Sequence, residues 1–84
     1  MNQAYLAARR DARLYIKSVF KYFEITSPKQ MYKHMSIESY DEATGCYAFP
    51  LIRGGYIDLE SGEFLFQVFR IEVSSLFHDL EVVE

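Results

Sequence analysis

Apolar residues recur at helical spacing through the first quarter of the chain and alternate, as strands require, through its second half. The helical period predicts a helix over Asn2–Glu24: at 100° per residue, Ala8, Ala12, Tyr15, Val19 and Phe23 share one side, flanked by Tyr5, Ile16, Tyr22 and Phe20. That side is the expected buried face, and Asn2 is the candidate N-cap. A second, short helix is expected from Pro28 to about Met35. Ser27 stands at its cap, Pro28 at its first position, and Gln30 three residues after Ser27 completes a capping box.

Beyond Ser36 the texture turns aromatic and β-branched. Asp41-Glu42-Ala43-Thr44-Gly45 and Asp58-Leu59-Glu60-Ser61-Gly62 share the pattern Asp-x-x-Thr/Ser-Gly, each followed by an aromatic strand. The carboxylate opens a turn and the glycine takes a positive φ, so both read as hairpins rather than as a duplicated domain. Gly54-Gly55 between them suits a two-residue loop. Three turns imply four strands, at about Met35–Tyr40, Cys46–Ile52, Tyr56–Leu59 and Glu63–Val73, with Pro50 marking an edge or a bulge. Ser74 or Ser75 can then cap a terminal helical turn through Leu76, Phe77 and Leu80. The expectation is one α+β domain over residues 1–84: an N-terminal helix and a short second helix packed on a four-stranded antiparallel meander, closed by a short C-terminal helical turn.

The last strand sets a problem. Read as continuous, it points Phe64, Phe66 and Val68 one way and Leu65, Phe69, Ile71 and Val73 the other, so both faces are apolar. One helix covers one face. The second needs the C-terminal segment, a curl of the sheet, or another chain, which makes Leu65, Phe69 and Ile71 candidate partner-binding residues and a homodimer one way to cover them.

Charge adds a second candidate surface. Arg9, Arg13, Lys17 and Lys21 form an i,i+4 ladder beside Arg10, opposite the expected buried face. Like charges so spaced destabilise a helix by roughly 0.2–0.5 kcal/mol per pair, a burden the core can offset. The ladder is either a solvated face or a meeting place for an anionic partner. The net charge of −3 hides an asymmetry: residues 1–35 carry seven Lys/Arg against two Asp/Glu, and residues 36–84 carry two against ten. The simplest reading is attraction between the halves within the fold.

Composition narrows the class. Half the chain is apolar and 17% is aromatic, which argues for an ordered core. Cys46 is the single cysteine, so neither an intramolecular disulfide nor a cysteine metal cluster can form. No secretory leader pattern or membrane-length apolar run is present, and a cytoplasmic setting is expected.

Candidate chemistry is sparse. Met31, His34 and Met35 have the spacing of a soft-metal site, but methionine more commonly fills gaps in a core. Cys46 with His34 or His78 is a conceivable thiol pair, although Cys46 follows a turn glycine and reads as a small strand residue. Gly54-Gly55 lacks the lysine of a phosphate loop, and Asp58, Glu60 and Glu63 lack the ligand order of a calcium loop. No catalytic residue, metal or cofactor is therefore expected. The reading is a small non-catalytic protein-binding module (an inhibitor, adaptor, immunity or accessory protein, of a kind mobile elements encode), with another protein or a second copy as partner. The alternatives are nucleic-acid binding through the basic helix, where Tyr15 and Tyr22 interleave the cations, and small-ligand binding in a curved-sheet cup.

Overall fold

Asn2 caps the first helix as its position predicts: its Oδ1 accepts the N–H groups of Ala4 at 2.7 Å and Tyr5 at 3.3 Å. Helix α1 runs Gln3–Tyr22 in a computed structural model that describes residues 2–77. The helix ends in a double turn of hydrogen bonds: Ile25 N–H donates to Phe20 O (2.8 Å) and Glu24 N–H to Lys21 O (3.1 Å). That is the Schellman arrangement, and Glu24 occupies its left-handed position at φ 58° where glycine is usual. Glu24→Gly should therefore raise stability by about 1 kcal/mol, read from denaturant midpoints at an unchanged slope.

Helix α2, Pro28–Tyr32, starts as expected, with Gln30 N–H donating to Ser27 Oγ at 3.2 Å. The Gln30 side chain reaches one residue further back than a capping box requires, accepting from Thr26 N at 2.6 Å and from its hydroxyl at 2.7 Å. The helix stops at Tyr32, short of Met35, and a 3₁₀ turn over Ile37–Ser39 replaces most of the expected first strand. Ser36 explains the replacement, since its hydroxyl accepts from Glu38 N–H at 3.2 Å and holds the chain in a turn.

The fold is α+β, as expected, but among the described residues the sheet has five strands: β1 Tyr40–Asp41, β2 Cys46–Ala48, β3 Gly55–Asp58, β4 Glu63–Phe66 and β5 Phe69–Glu72. They pair antiparallel in chain order. A 3₁₀ turn over Val73–Leu76 follows β5; Leu80 of the expected terminal turn and His78 lie outside the described residues. The two Asp-x-x-Thr/Ser-Gly hairpins form as read. Asp41 Oδ1 accepts from Ala43 N–H (3.0 Å), and Asp58 Oδ1 from Glu60 N–H (3.0 Å) and Ser61 N–H (3.3 Å). Gly45 and Gly62 sit at φ 73° and 74° and donate to Asp41 O and Asp58 O at 2.8 Å each.

The β2–β3 connection differs from the two-residue loop. β2 ends at Ala48, because a tight turn from Phe49 to Ile52 takes Pro50 as its second residue, where the ring's fixed φ fits. Gly54 supplies a positive φ at the next turn, and Gly55 already belongs to β3.

The expected fourth strand is two strands. Phe66 pairs directly with Phe69, so Gln67 and Val68 make a two-residue hairpin loop, with Gln67 at φ 58°. That turn resolves the double-sided strand. Opposed residues of antiparallel strands share a face, which puts Ile57, Phe64 and Ile71 in one inward row and Gly55, Phe66 and Phe69 in the next. Phe69 and Ile71 are therefore core residues, not a spare apolar face.

The helix packs on that inward face through Ala12, Ile16 and Phe20, a stripe rotated from the expected one. Phe23 is 42% and Tyr15 48% exposed, whereas Phe20 is 3% exposed. Ile16 and Phe20 have no polar atoms and gain most from burial, while the tyrosines keep their hydroxyls at the surface. On the other flank Arg9, Arg13 and Lys17 are half-buried, which places three of the ladder's four positions at the edge of the buried face rather than opposite it. The core is completed by Ile25, Met31, Phe49, Ile52, Val73 and Leu76.

Candidate interaction surfaces

The outer face of the sheet is one candidate. Ala48, Tyr56, Leu65 and Arg70 form a row across four strands. Leu65 is the one residue of the expected apolar trio on this face, and it is half-buried among its neighbours. Arg70 bridges Asp58 (3.0 Å) and Glu63 (2.7 Å), tying β5 to the β3–β4 hairpin. Its hydrogen bond to Glu63 leads the contacts that hold the guanidinium's pKa above its ordinary value.

The backbone N–H of Ser61, helped by the Ser61 side chain, Glu60 N–H and Arg70, holds the Asp58 carboxyl below the usual 3.8 against a smaller opposing effect of burial. Because the folded value is the lower one, Asp58 contributes its stability above the unfolded value and loses it as pH falls through the folded value. Melting curves of the wild type and Asp58→Asn should therefore converge as pH drops below 3.8, with the wild type the more stable above it.

A second candidate is a cleft between α1 and the β4–β5 turn. Ala8, Asp11, Ala12 and Tyr15 of the helix face Phe66 and Gln67 across an open depression of about 440 Å³. Tyr15 stacks on Phe66 with ring centres 5.5 Å apart, and Tyr5 leans on Phe69 at 5.3 Å. Val68, at the tip of the turn, is 81% exposed. The helix supplies the floor because Ala8 and Ala12 are four residues apart between two tyrosines, so the small side chains leave a notch between large ones. Sequence reading missed this cleft by placing Phe66 and Val68 in one continuous strand.

The basic ladder divides. Arg9 Nη1 donates to the Arg70 carbonyl oxygen at 3.2 Å, and Arg13 donates to Ser75 through Nη1 to Oγ (2.9 Å) and Nη2 to the carbonyl oxygen (3.3 Å). Lys17 and Lys21 border an apolar groove of about 290 Å³ with Phe20, Ile25, Leu76 and Phe77. Arg10 and Lys21 are exposed. The expected partner residues thus fall in several places: Phe69 and Ile71 in the core, Leu65 on the outer sheet face, Arg9 bound to β5, Arg13 bound to the 3₁₀ turn after it, and Arg10, Lys17 and Lys21 along the helix flank.

The residues weighed for chemistry lie in separate surroundings. Met31 is buried in the core, while His34 is exposed with its ring 6.4 Å from that of Phe23. Cys46 is buried, its thiol donating to Thr44 O at 3.6 Å. Among the described residues no group of three or more His, Cys, Asp or Glu is placed to hold a metal ion, and no helix is long and apolar enough to cross a membrane. Compared with known proteins, the chain matches no family model, no curated protein and no solved structure.

Proposed function

We propose that this chain is a small non-catalytic protein-binding module, an inhibitor, adaptor, immunity or accessory protein, that holds its partner in the cleft between α1 and the β4–β5 turn. The supporting observation is the exposure of Val68 beside an apolar notch walled by Tyr15 and Phe66. Exposed aliphatic and tyrosine side chains around a concave surface are the composition of a docking site. Asp11 on its rim, within a helix otherwise rich in cations, favours a protein segment whose apolar side chain is followed or preceded by Lys or Arg. The buried, unpaired thiol of Cys46 fits a cytoplasmic setting. A ligand cup is less well supported, because the inner face of the sheet is filled by Ile16, Phe20, Phe49 and Phe64.

The test is affinity capture from the host with wild type, Ala8→Arg and Asp11→Lys proteins, each confirmed folded by its melting curve. The captured partner is then purified and its binding measured directly. Both variants are expected to weaken that binding tenfold or more, about 1.4 kcal/mol. Equal binding by all three overturns the cleft. Retention that disappears on nuclease treatment, falls steeply with salt and is lost in Arg10→Gln with Lys21→Gln establishes the nucleic-acid reading instead.

A further inference from the structure

Among the described residues the sheet has two edges of unequal reach: β1 offers two residues and β5 offers four. Open strand edges present unpaired peptide groups and invite another strand. The two-residue loop between β4 and β5 makes Phe66 and Phe69 a hydrogen-bonded pair, and the alternation of an antiparallel ladder makes Phe64 and Ile71 the next one. The peptide groups of Arg70 and Glu72 therefore point away from β4, toward the edge.

Both outward carbonyls are occupied by side chains. Arg9 Nη1 donates to Arg70 O at 3.2 Å, and Ser75 Oγ donates to Glu72 O at 2.8 Å. Ser75 is itself gripped twice by Arg13, at 2.9 and 3.3 Å. We propose that Arg9 and Ser75, the latter positioned by Arg13, form a latch that keeps a strand-pairing edge shut, and that the partner this edge fits is a second copy of the chain.

The second copy is selected by charge and register together. Two-fold antiparallel pairing centred on Ile71 places Arg70 of one copy opposite Glu72 of the other, and these are the residues whose peptide groups point outward. Moving the centre to Arg70 or to Glu72 keeps the hydrogen-bond parity but sets like charges face to face. A centre between two residues breaks the parity. One alignment thus satisfies both requirements, and the side chains on α1 and the 3₁₀ turn stand in its way. The inference does not depend on the cleft, since its readout is the oligomeric state.

Sedimentation equilibrium on Arg9→Met with Ser75→Ala tests it. Wild type is expected to remain monomeric, and the double variant to self-associate at least about tenfold more tightly, the worth of roughly one net hydrogen bond. Adding Glu72→Lys sets like charges opposite in the one permitted register and should restore the monomer. Glu72→Gln in place of Glu72→Lys removes the repulsion, leaves the bridges from Arg70 to Asp58 and Glu63 intact, and should give an intermediate affinity. A folded double variant that stays monomeric overturns the proposal, as does a dimer indifferent to Glu72→Lys or a wild type already paired through β5. If the double variant does not fold, Arg9→Met alone is read by amide exchange at Arg70 and Glu72 and by sedimentation. Unchanged exchange and a monomer then overturn the latch.

Discussion

Phe20→Ala should leave the chain substantially unfolded near 37 °C, while Phe23→Ala melts within a few degrees of wild type. Phe20 is 3% exposed and sits among three rings, stacked on Phe77 at 5.2 Å and edge-on to Phe49 at 6.0 Å and Phe64 at 6.3 Å. Truncating a buried phenylalanine removes its burial free energy and leaves a cavity, together about 3–5 kcal/mol. At about 0.05–0.15 kcal/mol per residue, a domain of this length has roughly 4–12 kcal/mol in total. Phe23 is 42% exposed and touches Tyr22 and His34, both at the surface, so its loss should cost about 1 kcal/mol or less. Denaturant unfolding of the two variants decides the orientation of α1. If Phe23→Ala is the damaging one, the helix packs through Ala8, Tyr15 and Phe23 and the described core is wrong.

Those two residues also mark where the sequence was legible. The existence of the helix, its Asn2 cap, the Ser27–Pro28 start and both Asp-to-Gly hairpins were readable because each rests on local chemistry that tertiary packing does not alter. The buried stripe was not. Two apolar stripes lie side by side on α1, and a wheel that weights tyrosine as apolar centres between Ala8 and Val19. Packing instead selects the side with Ile16 and Phe20, because tyrosine hydroxyls stay solvated and arginine stems can line the opposite flank.

The β4–β5 turn was hidden for a different reason. Gln67-Val68 contains neither glycine nor proline, and a non-glycine residue at φ 58° announces nothing locally. The signal lay in the alternation itself: Phe64 and Phe66 are two apart, Phe69, Ile71 and Val73 are two apart, and the parity changes between Phe66 and Phe69. A continuous strand makes that change a double-sided apolar surface, whereas a two-residue loop removes it. Reading the surplus as a partner face moved Phe69 and Ile71 to the outside. It also concealed the cleft, whose wall is Phe66 and whose rim is the turn.

Gly55→Ala should destabilise the domain by about 1–3 kcal/mol, a large penalty for one methyl group. Gly55 has no positive φ to defend, so steric room is the cause. A Cβ there would lie 2.9 Å from both Cε1 and Cζ of Phe64 and 3.1 Å from Cγ2 of Ile52. The Phe64 ring is fully buried and is met edge-on by Phe20 and Phe49, so it has nowhere to retreat. The expected signature is coupling: Phe64→Leu in the Gly55→Ala background should recover part of the loss, although Phe64→Leu alone is destabilising. Gly45→Ala is the control, because a Cβ there meets nothing within 4 Å and its cost comes from φ +73° alone. Its loss should add independently to that of Phe64→Leu. Equal additivity at both glycines would mean that the ring of Phe64 does not close over β3.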